Sequence, residues 1–154
     1  MRHIGGFVAG LEQLQASSEA LNISPDRGIR LALSDSLPRV GAQRAWASNF
    51  NGAGKIIAVL DSGIDKDHSW LSGKVVSEAC FTTNDQTTGY SSTCPNDLTE
   101  STDPGSGVPC TDLAGLGGCS HGTYVAGIAA GRSGVAYGAN LISIKVTSFV
   151  TDNS

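Results

Sequence analysis

The strongest hydrophobic signal in the chain is a continuous apolar run, Ile56, Ile57, Ala58, Val59 and Leu60, which stops abruptly at Asp61, Ser62 and Gly63. An unbroken run of strand length bounded by turn residues predicts a strand buried on both faces, as in a parallel sheet covered by helices. Residues 73–81, where Val75 and Val76 stand together, predict a second strand. Leu141, Ile142, Ile144 and Val146 predict a third. Between these two, residues 120–131 (SHGTYVAGIAAG) predict a helix with Ser120 as N-cap and Gly131 as C′ residue. Val125, Ile128 and Ala129 give that helix a narrow apolar face, and its glycines and alanines keep it slim for packing on a sheet. Helix followed by strand completes a βαβ unit, hence an α/β fold with a parallel sheet and a right-handed crossover.

Upstream, residues 8–21 place Leu11, Leu14 and Leu21 on one helical face. Asn22 and Pro25 end that helix, and residues 28–33 read as a short alternating strand. Ser34, Asp35, Ser36, Leu37 and Pro38 form a polar stretch that reads as a boundary. Residues 39–48 predict a short helix turning Val40 and Trp46 inward. From 82 to 119 periodicity vanishes and Gly, Ser, Thr, Asp and Pro dominate. A loop of that length in a compact domain is normally functional or cross-linked.

Composition narrows the classes. The 154 residues suffice for one domain with a real core. Charged residues make up 16% of the chain and glycine 20 positions, a loop-rich balance that fits neither a coiled coil nor a disordered tail. A net charge of −4 gives no basic footprint, so no nucleic-acid partner is expected. No apolar stretch approaches membrane-span length, and no membrane partner is expected. Arg2 and His3 ahead of IGGFVAGL only faintly resemble a signal peptide. The run ends at Glu12 and Gln13 with no small-residue cleavage site, so no signal peptide is expected in this chain. The sequence sets no oligomeric state.

All four cysteines, Cys80, Cys94, Cys110 and Cys119, fall in or beside the aperiodic region. With no C-x-x-C pair and only His121 nearby, zinc is the weaker reading; an even count favours two disulfides and an oxidising compartment. Of three pairings, Cys80–Cys94 and Cys110–Cys119 close short local loops and are favoured, with four reduced cysteines as the alternative.

Two residues are candidates for chemistry. Asp61 ends a predicted strand, where α/β sheets gather their ligand and catalytic groups, but an Asp before Ser-Gly is also a good turn former. Both readings stay open on that segment alone. His121 opens the predicted helix, as a capping or solvent-facing residue or as a general base. The positive end of the helix dipole favours a neutral imidazole, and a strand-end carboxylate could fix its tautomer and stabilise the imidazolium that forms. An aspartic-protease reading of Asp61-Ser62-Gly63 needs a second aspartate sharing a proton, and only one D-S-G exists. A nucleophile elbow at Gly118, Ser120 and Gly122 needs a buried strand directly before it, and residues 111–118 are too glycine-rich to form one.

Taken together, IIAVLDSGID (56–65) and SHGTYVAGIAAG (120–131) resemble the catalytic-Asp and catalytic-His segments of the subtilisin-like serine proteases, in that family's order of Asp before His. LPRVGAQRAW with GAGK, and GVAYGANLISIKV, resemble the flanking segments, so the likeness covers residues 36–154. It implies a three-layer α/β fold with a parallel sheet, of which about half is present. It implies residues 1–35 as the tail of a propeptide, cleaved near 33–36, and 36–154 as the N-terminal portion of a catalytic domain. Asp61 would be the orienting carboxylate and His121 the general base of a serine endopeptidase acting on peptide or protein substrates, secreted or periplasmic, with no cofactor and no metal. The family's G-T-S-x-[AS]-x-P nucleophile segment and oxyanion-hole Asn do not occur, and neither Ser62 nor Ser120 has such a setting. The chain alone is therefore expected to be inactive, and a fragment or pseudo-enzyme that only binds peptide or a partner is the alternative. Tyr124 replaces the usual His after H-G-T and implies a packing change. Trp70 stands where many members carry a calcium-binding Asp, so that site is not expected. A third strand without a neighbour would leave an open apolar edge and poor solubility.

Overall fold

A computed structural model describes residues 33–85, 87–111 and 118–150. The helix expected over 8–21, all but the last residue of the strand over 28–33 and all but the last three residues of the propeptide tail over 1–35 lie outside the described residues. The first elements are two short helices, α1 (Leu33–Arg39) and α2 (Ala42–Ala47). The polar stretch read as a boundary is thus helical throughout. Propensity there is poor, but Leu37 is buried and tertiary packing overrides it. Val40, expected inward, is exposed, because it falls in the turn between the helices; Ala42 is buried instead. Trp46 is half-buried, its Nε1 donating to the Val135 carbonyl at 2.8 Å and its ring meeting Tyr137 edge-on at 5.3 Å.

The sheet comprises β1 (Ile56–Asp61), β2 (Val75–Phe81), β4 (Glu100–Ser101) and β5 (Asn140–Lys145), in spatial order β1-β5-β2-β4. β1–β5 and β5–β2 are parallel, and β4 joins antiparallel at the edge of β2. This is the mostly parallel α/β architecture expected. The helix α3 (His121–Ala130) lies between the parallel strands in sequence and packs on β1 and β5. One expectation fails: the third long strand, β5, is not an open edge. The crossover returns it between β1 and β2, so β5 is central and β1 is left at the margin, with no strand on its outer side among the described residues.

Register sorts the side chains into two rows. Ile57, Val59 and Asp61 stand beside Leu141, Ser143 and Lys145, facing α3. Val59 and Leu141 join Ile64, Leu71, Ala126, Ala130 and Ala139 in the core. The opposite row of β1 is bare: Ile56 is 56% and Leu60 62% exposed. β1 was expected to be buried on both faces, but among the described residues a helix covers only one.

The aperiodic region contains a 3₁₀ turn at Pro95–Asp97 and β3 (Tyr90–Ser91), which pairs antiparallel with β6 (Phe149–Val150). Disulfides Cys80–Cys94 and Cys110–Cys119 cross-link it, in the favoured pairing. With every cysteine oxidised, no thiolate remains for zinc. An ion pair between Lys66 Nζ and Glu78 Oε2 at 2.7 Å, joined by the Gly105 N–H at 3.0 Å, fastens the loop to β2.

Candidate active site

Asp61 is the last residue of β1 and His121 the first of α3, and the parallel topology brings both to one edge of the sheet. His121 Nδ1 lies 2.8 Å from Asp61 Oδ1 and 2.9 Å from Oδ2. The Ser62 N–H donates to Asp61 Oδ1 at 2.7 Å. Partial burial pushes the Asp61 carboxyl up, but the hydrogen bonds from the His121 ring and the Ser62 N–H outweigh it and hold the group below its ordinary value. A carboxylate facing Nδ1 places the proton there and leaves the lone pair on Nε2. The side chains are 18% exposed for Asp61 and 67% for His121, so the acceptor nitrogen is open to an incoming group.

Close approach of backbones makes this contact. At Gly122 an added Cβ would sit 2.4 Å from the Gly63 carbonyl and 3.1 Å from Asp61 Cβ, so only glycine lets the helix start come so near the strand end. Gly63 has φ of +99°, and an added Cβ there would lie 2.5 Å from the Val108 carbonyl. Its neighbours continue the seam, with the Ile64 N–H donating to the Gly107 carbonyl and the Asp65 N–H to Thr123 Oγ1. The glycines of D-S-G and H-G are therefore steric requirements of the pair.

Ser120 occupies the N-cap position but its side chain makes no capping hydrogen bond, and Gly131 is extended rather than left-handed. Tyr124, one helical turn beyond His121, is exposed. Among the described residues, no group of three His, Cys, Asp or Glu side chains is arranged to hold a metal ion. Two buried polar residues beside the pair were missed in the sequence. Ser62 is buried, with Oγ donating to the Cys119 carbonyl and accepting from the Gly122 N–H, each at 3.0 Å. Lys145, the register partner of Asp61, is 2% exposed, and burial lowers its pKa. Only the small hydroxyl inside D-S-G hinted at the first, and the LISIKV pattern gave no sign of the second.

A family model described as the subtilase family matches residues 52–154, more than half of the chain. Furin of Rattus norvegicus is 40% identical over 47 residues, 30% of this chain and 6% of that protein. Furin of Homo sapiens is 38% identical over a segment of the same length and the same shares. The chain thus aligns with a small part of these relatives. Strand-end aspartate, helix-start histidine, the glycines that let them meet and the extent of the family match agree: this chain belongs to the subtilase family.

Proposed function

We propose that the chain carries the orienting carboxylate and general base of a serine endopeptidase, Asp61 and His121. The observation that supports this is the His121 Nδ1 to Asp61 contact of 2.8 Å with the ring otherwise open. In this reading Nε2 takes the proton of a serine hydroxyl as the oxygen attacks a peptide carbonyl, and Asp61 stabilises the imidazolium. His121 then gives that proton to the departing amine, and an acyl-enzyme remains for hydrolysis. The serine is not among these 154 residues in any recognisable setting, so the chain alone does not cleave peptides. The disulfides suit a secreted or periplasmic protein.

The test begins with the coding DNA beyond Ser154. An in-frame G-T-S-x-[AS]-x-P is expected, and the product of that longer frame should cleave a chromogenic peptide. Asp61→Asn should lower its kcat about 10⁴-fold, the size known for the same change in serine-protease triads. Undiminished cleavage by that variant, or cleavage by the 154-residue chain that a serine-directed covalent inhibitor abolishes, contradicts the reading. A non-cleaving binder of peptide or partner is the second reading, favoured by the bare row of Ile56 and Leu60 beside the edge of β1 that pairs with no strand among the described residues. Absence of the nucleophile motif downstream selects it.

A further inference from the structure

We propose that Ser62 is a positioning residue for the Asp61–His121 pair and that the Cys110–Cys119 disulfide holds it in that role; the proposal rests on reading the pair as catalytic. Ser62 is 3% exposed, and each of its polar atoms is engaged. Its N–H donates to Asp61 Oδ1 at 2.7 Å. Its Oγ donates to the Cys119 carbonyl and accepts from the Gly122 N–H. Its carbonyl accepts from the Cys110 N–H at 3.4 Å.

One residue therefore touches the carboxylate, the segment leading into α3 and the residue after the base. The two half-cystines it contacts are bonded to each other, with Cα atoms 5.1 Å apart. Ser62, Cys110 and Cys119 form a closed ring of two hydrogen bonds and one covalent link. The start of α3 cannot shift relative to the end of β1 without breaking a buried hydrogen bond or straining that link. A hydroxyl suits the place because it must donate to a carbonyl and accept from an N–H at once. Alanine removes both of these hydrogen bonds, whereas threonine retains the oxygen. Hydrogen bonding between Nδ1 and the carboxylate weakens steeply with distance and angle, so a small displacement of the helix start loses it. Reduction of Cys110–Cys119 by a dithiol, which leaves as its own disulfide while two cysteine thiols form, opens the ring.

Proton NMR of the 154-residue chain reads the proposal through the His121 Nδ1–H resonance, which its bond to Asp61 shifts far downfield. Asp61→Ala and His121→Ala assign it. Ser62→Ala is expected to lose the resonance to exchange while circular dichroism still reports a folded chain, and Ser62→Thr to keep it. The double variant C110S/C119S is expected to lose it too, with S62A adding nothing further on that background. An unchanged resonance in S62A or in C110S/C119S overturns the proposal, since the ring is then structural only. If S62A does not fold, the C110S/C119S result decides alone. A wild-type chain with no such resonance overturns the Asp61–His121 contact and this proposal together, whereas failure of the peptide-cleavage assay bears on the protease reading alone.

Discussion

Asp61 carries most of the site's electrostatic consequence. Its carboxyl titrates lower in the native state than its ordinary 3.8, because the His121 ring and the Ser62 N–H favour the charged form more than burial disfavours it. A group depressed in the folded state contributes stability above its unfolded value, and that contribution disappears as pH falls through the native value. Urea unfolding of the wild-type chain and Asp61→Asn should therefore differ most above the ordinary carboxylate value and converge as pH falls below it through the depressed native one. A gap between the two that stays constant over that range would show that the carboxylate is not held low. Lys145 gives the same sign of pH dependence from a different cause, a burial cost on its charged form that is relieved as pH rises. Burial lowers its native pKa, so its contribution grows as pH rises from that value toward the unfolded one.

Among the elements, β5 shows why some of this architecture was legible in the sequence and some was not. Its existence and length follow from LISIKV, and the order of strand, helix and strand predicts its parallel pairing. Its register is set by contacts that no local pattern reveals. The core-facing row holds Leu141, Ser143 and Lys145, and Ser143 is accommodated only because its Oγ donates to the Gly107 carbonyl at 2.7 Å. The more apolar Ile142 and Ile144 occupy the opposite row. Leu141 is fully buried at the centre of the core, so Leu141→Ala should cost about 2–5 kcal/mol by denaturant unfolding. A loss below about 0.5 kcal/mol, the range of surface changes, would contradict this register. Asp61 and His121 were readable because their segments carry the glycines that their contact demands. Ser62 was not, since its part depends on a carbonyl and an N–H some sixty residues away. Val40 was misplaced for a related reason: a single apolar residue does not show which side of a turn it will face.

At the scale of the whole molecule, the described residues form a sheet covered by helix on one side, with the aspartate-bearing strand at its free margin. Exposed strand edges next to apolar surface invite association, so the chain alone is expected to self-associate through this region. Leu60→Lys, placed on the exposed row next to the edge, should raise the monomer fraction in sedimentation velocity without lowering thermal stability. An unchanged distribution would show that this face is not the adhesive one. The proposed chemistry depends above all on whether Asp61 fixes the proton on Nδ1 of His121. Nitrogen-15 NMR of the histidine-labelled chain at a pH where the ring is neutral measures this directly. We predict a protonated Nδ1 and an unprotonated Nε2, with that preference lost in Asp61→Ala; a ring carrying its proton on Nε2 would contradict the account.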